Sequence, residues 1–197
     1  MLEPLKGKVC WVTGAGTGIG QAAAVMLAQE GAQVVLSGRT PASLEKTAKL
    51  AAERGGVAFP EVLDVTNADQ VEAVAGRIEQ KFGRIDVLVN NAGTNITERH
   101  WDRVSPEKWR EVIDIDLSGA FYCVRAVLPL MRRQQDGLII NVSSWAGRFY
   151  SLLTGPAYTA AKHGMTAMNA SINMEECANG IRACAMCPGE VWTPIID

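Results

Sequence analysis

Short apolar runs alternate along this chain with longer segments of helical pattern. Runs that are nearly all apolar are typical of parallel strands covered on both faces. The longer segments carry the mixed apolar and polar residues of helices that pack with one face. We therefore predict six strands and the helices between them. The strands are at 8–12, 32–38, 57–65, 84–90, 137–144 and 181–189; the helices are at 21–31, 41–54, 68–83, from 106, from 120 to about 134, and at 155–180.

Capping residues mark several of the predicted helix starts. Thr40-Pro41 and Ser105-Pro106 each combine a capping residue with proline at the first helical position. Asn67, with Gln70 three positions later, resembles a capping box. Alternating strands and helices imply βαβ units with right-handed crossovers, and hence an α/β fold with a doubly wound parallel sheet. The sequence shows no repeat or linker, so we predict a single domain over residues 1–197.

Composition narrows the class of protein. Of 197 residues, 48% are hydrophobic and 20% are charged, and the formal net charge is −2. That charge gives no reason to expect nucleic acid or an anionic membrane as a partner. No apolar run approaches the roughly 20 residues of a membrane span. The N-terminus lacks the apolar core of a secretory signal, and we expect a cytoplasmic protein.

The five cysteines are an odd and scattered number, so a disulfide framework is not expected. Cys184 and Cys187 form a C-x-x-C pair within an apolar stretch. A redox pair of this kind normally begins a helix, whereas this stretch has the pattern of a strand. We expect two buried small side chains here and no metal site.

The stretch "TGAGTGIG", residues 13–20, lies between the first predicted strand and helix and has glycine at every second position. Glycine allows close approach to the main chain, and the start of a helix presents free N–H groups to an anion. In such sheets ligands bind outside the carboxyl ends of the strands. "NNAG", "SSWAG" and "PGEVWT" follow strands four, five and six at that same edge. We therefore predict a phosphate-bearing ligand there.

The end of the second strand indicates which dinucleotide is bound. Sheets that bind NAD(H) usually have a carboxylate about 20 residues after the glycine loop. This sequence has Arg39 there instead, in "SGRT". A guanidinium suits a 2′-phosphate, so NADP(H) is favoured over NAD(H). An exposed loop arginine without this role is the alternative.

Tyr158 and Lys162 are four residues apart on one face of a predicted helix. A nearby ammonium is expected to lower the pKa of Tyr158 from about 10 by up to about three units. The phenol would then serve as general acid or base near neutral pH. Ser144 is placed to hydrogen-bond the same substrate oxygen. We predict hydride transfer between NADP(H) and a small carbonyl or alcohol substrate; a cofactor-binding regulator without turnover is the alternative.

With these residues the sequence resembles the short-chain dehydrogenase/reductase family over nearly its whole length. The resemblance implies a Rossmann-like sheet with strand order 3-2-1-4-5-6. It implies that Asp64 and Val65 hold adenine, that Asn91 packs beside a ribose, that Lys162 also bonds the nicotinamide ribose, and that Thr193 binds the carboxamide. The implied cofactor contacts are Gly14, Thr17, Gly18, Ile19, Gly20, Arg39, Asp64, Val65, Asn91, Ala92, Gly93, Tyr158, Lys162, Pro188, Gly189, Val191 and Thr193.

The sequence also departs from the family pattern. Family members usually have asparagine, which helps hold a proton-relay water, at the position of Asp116. We take Asp116 as a fourth candidate catalytic residue, since a buried carboxylate near Lys162 would alter the pH dependence of the site; stabilising a bend between helices is its alternative role. Ser144 is preferred to Ser143 because the family's serine is followed by two residues and a glycine. Members commonly continue past Thr193 into a substrate-covering segment and a seventh strand, so we expect missing C-terminal residues. The resemblance further implies a homodimer or homotetramer.

Overall fold

In the computed structural model, which describes residues 4–193 and 195, six parallel strands form one sheet in the order β3-β2-β1-β4-β5-β6. The α/β class and the strand order are those predicted. The strands are β1 (Val9–Thr13), β2 (Gln33–Gly38), β3 (Val57–Val62), β4 (Val87–Asn90), β5 (Gly137–Val142) and β6 (Ile181–Met186). The helices are α1 (Gly18–Gln29), α2 (Pro41–Glu53), α3 (Ala68–Phe82), α4 (Pro106–Ile113), α5 (Gly119–Gln134) and α6 (Pro156–Glu176).

Two apolar clusters cover the two faces of the sheet. In β1, Cys10 and Val12 belong to the cluster beneath α1 and α2, while Val9 and Trp11 belong to the cluster beneath α3 and α5. All five residues of β1 are buried because successive side chains of a strand point to opposite faces. Burial on both faces is the physical reason for the unbroken apolar runs.

Several predicted strands were too long at their ends. Residues 63–65, 143–144 and 187–189 were predicted to belong to strands, yet β3, β5 and β6 end at Val62, Val142 and Met186. Residues 84–86 precede β4. Mostly apolar or small residues continue beyond the last residue of each strand that is hydrogen-bonded in the sheet. Hydropathy alone therefore did not show where each strand ends. The residues that leave the sheet form the loops at its carboxyl edge.

The predicted helix caps are partly correct. Asn67 Oδ1 accepts a hydrogen bond from Gln70 N at 3.0 Å, and Ser105 Oγ accepts one from Lys108 N at 3.2 Å. The Gln70 side chain, however, accepts from Asp64 N and does not return to Asn67, so the reciprocal half of the capping box is wrong. Thr40 precedes Pro41 as predicted but makes no side-chain cap bond.

Two helices predicted at 106 and 120 are joined in the structure. A π-helical turn, Asp114–Ser118, connects α4 to α5, and its flanking residues Ile113 and Gly119 keep right-handed helical dihedrals. A π turn accommodates one extra residue without ending the helix. The extra residue shifts the spacing of the apolar residues along the helix, and from the sequence that shift predicted a break between two helices.

The prediction that Cys184 and Cys187 are buried is wrong. Cys184 is exposed and Cys187 is half-buried. The apolar residues of β6 alternate, with Ile181 and Ala183 facing the helix-covered side and Cys184 facing outward. In the part of the chain that the structure describes, β6 is the last strand on its side of the sheet, so an apolar run there does not imply burial on both faces. Among the described residues no helix is both long and apolar enough to cross a membrane.

Candidate active site

Side chains from three parts of the fold hold the glycine turn between β1 and α1. Asn91 Nδ2 donates to the carbonyls of residues 13 and 14 at 3.1 and 3.2 Å. Thr47 Oγ1 donates to the carbonyl of residue 15 at 2.9 Å, and Gln21 Nε2 to that of residue 16 at 3.1 Å. Thr17 begins α1 without a side-chain cap. With four consecutive carbonyls occupied by protein donors, the uncapped N–H groups at the start of α1 are available to an anion.

Close packing explains why two positions of this turn are glycine. Gly14 has a φ of +63°, and a Cβ there would lie 2.8 Å from Ala92 Cα. A Cβ on the buried Gly20 would lie 2.3 Å from both Asn91 Nδ2 and Gly14 O. The Thr13 hydroxyl accepts from the backbone N–H groups of Asn91 and Ala92, each at 3.1 Å. The turn and the loop after β4 are therefore fitted directly to each other.

A groove of about 190 Å³ lies along the carboxyl ends of β1, β2 and β3. Its two charged lining residues are Arg39, which is exposed and has no ion pair among the described residues, and Asp64. Asp64 Oδ1 accepts from the N–H and hydroxyl of Thr66, which fixes the carboxylate. Predicted residues that line the groove are Gly14, Thr17, Arg39, Asp64, Val65, Ala92 and Gly93; Gly16, Thr40 and Ser43, which were not predicted, line it as well.

The residues that line this groove suit a phosphate-bearing ligand. It joins the open N–H groups of α1 to the guanidinium of Arg39, and no carboxylate lies at the end of β2. Gly18 and Ile19 lie in the first turn of α1 next to it. A larger depression of about 540 Å³ lies between α3 and α5, and none of the candidate residues lines it.

Lys162 lies at the centre of the predicted catalytic group. Its side chain is 3% exposed, and Nζ donates to the carbonyl of Val142 at 3.1 Å. The same Nζ is 3.3 Å from Asp116 Oδ2 and 5.4 Å from the centroid of the Tyr158 ring. The Tyr158 hydroxyl makes no hydrogen bond with the described part of the chain, while the ring packs on the apolar cluster around Ala157. Asp116 in the π turn and Tyr158 and Lys162 in the first two turns of α6, three of the four predicted catalytic residues, thus lie together next to the end of β5.

Asp116 lies inside the π turn and is fully buried. Its Oδ1 accepts from Thr94 N at 2.7 Å, while Oδ2 has no polar partner other than Lys162 Nζ among the described residues. Burial raises the pKa of this carboxyl, although Lys162 and the Thr94 N–H act in the opposite direction. A Cβ on Gly93 would lie 3.1 Å from Asp116 Oδ2 and 3.4 Å from Lys162 Nζ, so glycine keeps this space open.

The two adjacent serines have different surroundings. Ser143 is buried, and its Oγ donates to the carbonyl of Lys162 at 3.0 Å and lies 3.2 Å from Thr166 Oγ1. Ser144 is half-buried, and its Oγ accepts from Ala146 N at 3.1 Å. The Ser144 hydroxyl proton is therefore uncommitted within the described chain. This difference favours Ser144 as the group that meets a substrate.

The segment after β6 lies next to the loop after β5. Trp145 N donates to the carbonyl of Pro188 at 2.8 Å, which joins the two loops. Gly189 and Val191 are exposed and Thr193 is half-buried. Large side chains here are strongly exposed: Tyr150 83%, Leu152 87% and Trp192 103%. Among the described residues, no group of three or more acidic, histidine or cysteine side chains is arranged to hold a metal ion.

The chain belongs to the short-chain dehydrogenase family, a family of oxidoreductases: the family model described as short chain dehydrogenase matches residues 8–197. It is 39% identical over 193 residues to the 3-oxoacyl-[acyl-carrier-protein] reductase FabG of Thermotoga maritima, covering 98% of this chain and 78% of that protein. It is 35% identical to a 3beta-hydroxysteroid dehydrogenase of Mediterraneibacter gnavus, covering 96% and 68%.

Solved structures show the same fold. Levodione reductase superposes with a TM-score of 0.94 at 33% identity, covering 98% of this chain and 75% of that one. A metagenomic short-chain oxidoreductase in complex with NADP superposes with a TM-score of 0.89 at 34% identity, covering 94% and 84%.

Proposed function

We propose that this protein interconverts a carbonyl and an alcohol on a small-molecule substrate, with NADP(H) as the hydride carrier. The observation that carries the proposal is the buried Lys162 ammonium, 5.4 Å from the ring of a tyrosine whose hydroxyl has no protein partner in the described chain. A phenol in that position is available to a substrate oxygen. The names of two relatives, a 3-oxoacyl reductase and a hydroxysteroid dehydrogenase, denote the same reaction class.

The residues divide the work of proton transfer. NADP(H), when bound in the groove, supplies the hydride for reduction or accepts it in oxidation. Tyr158 donates its proton to the substrate oxygen during reduction and takes it back during oxidation. The Lys162 ammonium stabilises the phenolate that remains. Ser144, whose oxygen is already an acceptor for Ala146 N, donates its free proton to the substrate oxygen and stabilises developing charge.

The cofactor preference rests on Arg39. The guanidinium lines the groove beside the hydroxyl-bearing residues Thr40 and Ser43, and all three suit a phosphate. A similar structure was solved with NADP, which agrees with this preference. We assign the adenine contact to Asp64 and Val65.

The acid–base role is tested by Tyr158→Phe. We expect turnover of a carbonyl panel, followed by the absorbance of NADPH, to fall about 1,000-fold because the proton donor is removed. Binding of NADPH, measured by fluorescence titration, should persist. Tyr122→Phe, which deletes a hydroxyl on α5 outside the site, is the matched control. Equal turnover of wild type and Tyr158→Phe would leave the cofactor-binding regulator as the better account.

The cofactor preference is tested by Arg39→Ala. We expect wild type to bind NADPH more tightly than NADH, and the variant to lose about 10-fold or more in affinity for NADPH alone. NADH binding should be nearly unchanged, since it lacks the 2′-phosphate. Arg54→Ala removes an equally exposed arginine at the end of α2 and should alter neither affinity. A parallel loss for both cofactors in Arg39→Ala would contradict a phosphate-specific role.

A further inference from the structure

The proposed proton transfer uses Tyr158, Lys162 and Ser144 and assigns no role to the buried side chain of Asp116. Asp116 and Lys162 form an ion pair at 3.3 Å, and their side chains are 0% and 3% exposed. Asp116 Oδ2 has no polar partner other than Lys162 Nζ among the described residues. A structural carboxylate in a protein interior is usually fully hydrogen-bonded. An oxygen whose one described partner is the Lys162 ammonium indicates a role toward that ammonium.

The pair has few direct polar contacts among the described residues, apart from the bond of Lys162 Nζ to Val142 O. From the loop after β4, Thr94 contributes only its backbone N–H. From α6, the facing groups are Lys162 itself and, beyond it, Tyr158. On its own helical turn, the nearest carboxylate is Asp114, which is exposed. Lys162 and Asp116 are therefore a cation and an anion in contact with each other beside the Tyr158 ring, and both are shielded from solvent.

We propose that Asp116 is a buried counter-ion that partly neutralises Lys162 and so sets the pH at which Tyr158 exchanges its proton. It is a positioning residue that acts through Lys162 and does not touch the substrate. The inference rests on the proposed function for its effect on catalysis. A neutral amide at this position would leave the full lysine charge acting on the phenol. The carboxylate reduces that charge and moves the working range to higher pH.

The direction of the effect follows from the charges. Alcohol oxidation requires the phenolate, so its rate falls as pH drops through the acid limb of the profile. Asp116→Asn removes a negative charge near the phenolate and makes that form easier to reach. We expect the acid limb to move to lower pH by about one unit, the size expected for one charge several ångströms away at an intermediate dielectric. Asp114→Asn removes the same charge from the exposed side of the turn and should leave the limb in place.

A second measurement needs no turnover. The ionisation of Tyr158 is isolated as the difference in tyrosinate absorbance between a protein and the same protein carrying Tyr158→Phe. We expect its midpoint to be about one pH unit lower in Asp116→Asn than in wild type. If Asp116→Asn does not fold, Asp116→Ser, which is also neutral, replaces it.

The outcomes separate the two proposals. If the midpoint of Tyr158 ionisation moves in Asp116→Asn but the protein turns over no carbonyl or alcohol, the counter-ion proposal is supported and the proposed function is rejected. If the enzyme is active but neither the acid limb nor the Tyr158 midpoint differs between wild type and Asp116→Asn, the counter-ion proposal is overturned. The proposed function then still stands. Equal shifts in Asp116→Asn and Asp114→Asn would also overturn it, because a buried position would then have no special effect.

Discussion

At the scale of single residues, the glycine turn is restricted mainly by its protein neighbours. The buried Gly20 leaves the space occupied by the Asn91 amide, which in turn holds two carbonyls of the turn. Gly14 similarly leaves space for the backbone of Ala92. Tight contact with a ligand is one reason for glycine at such a turn, and contact with the loop after β4 is a second, independent one.

We expect Gly20→Ala to destabilise the protein even without cofactor. The added Cβ would lie 2.3 Å from Asn91 Nδ2 and Gly14 O, so the turn must shift. The expected cost is about 1–3 kcal/mol, measured by denaturant unfolding. Gly76→Ala is the control, because this glycine lies inside α3 with nothing within 4 Å of its added Cβ. It should stabilise by about 0.5–1 kcal/mol. An unchanged stability in Gly20→Ala would contradict the packing argument.

The sequence predicted site residues that are near each other along the chain. It did not predict residues whose contacts in the site join distant parts of the chain. Tyr158 and Lys162 share a helix face, so their proximity followed from the four-residue interval. Thr47 and Gln21 hold the glycine turn from α2 and α1, and their types are common on helix surfaces. Thr13 belongs to the glycine motif itself. Its hydroxyl accepts two hydrogen bonds from the loop after β4, and the spacing of residues in the motif does not predict these long-range contacts.

At the scale of elements, the predicted cap residues all precede helices, but they do not all make the cap bond. Asn67 and Thr40 both precede helices and are both favourable N-cap types. Only Asn67 accepts a backbone N–H, from Gln70 at 3.0 Å. Thr40 has an extended backbone without the side-chain bond. Residue type therefore predicts where a helix begins better than it predicts how its first turn is satisfied.

We expect this difference to appear in stability. Asn67→Ala removes a real cap bond and should cost about 1 kcal/mol in the free energy of unfolding. Thr40→Ala removes no cap bond, and we expect a cost of only a few tenths of that amount, measured without cofactor. Comparable losses in the two variants would show that the hydroxyl of Thr40 caps α2 in solution.

The run from Pro106 to Gln134 shows what an element-level pattern cannot give. The sequence indicated two helices with a break, and the alternative role considered for Asp116 was stabilisation of that bend. The structure has continuous helical backbone with a π turn at Asp114–Ser118. The extra residue in this turn changes which side chains face inward. Burial of Asp116 against Lys162 depends on this local geometry, and hydropathy does not encode it.

At the scale of the whole molecule, the buried carboxyl groups at the amino and carboxyl ends of the strands have opposite pKa shifts. At the amino edge, Asp86 accepts from Lys8 Nζ, Val9 N and Arg84 Nε at 2.9, 2.8 and 2.8 Å. Burial alone would raise the pKa of Asp86, but these bonds outweigh it and the pKa is lowered. At the carboxyl edge, Asp116 has one bonded oxygen, and burial raises its pKa. Folding therefore favours the ionised form of Asp86 and disfavours that of Asp116.

Opposite pKa shifts predict opposite dependences of stability on pH. Because the pKa of Asp86 is lowered by folding, its contribution is present above the ordinary aspartate value of 3.8 and is lost as pH falls below it. Asp86→Asn should therefore cost about 2 kcal/mol at pH near 7 and progressively less in acid. Because the pKa of Asp116 is raised, wild type loses stability relative to Asp116→Asn as pH rises above that same value.

Thermal unfolding of wild type and both variants from about pH 3 to pH 8 measures both slopes. The difference in Tm between Asp86→Asn and wild type should become more negative with rising pH, and that between Asp116→Asn and wild type more positive. Slopes of the same sign would mean that Asp116 is held as firmly as Asp86 in its ionised form. The ion pair of Asp116 with Lys162 would then stabilise the fold, because a carboxyl group whose ionised form is favoured by folding gains stability as pH rises.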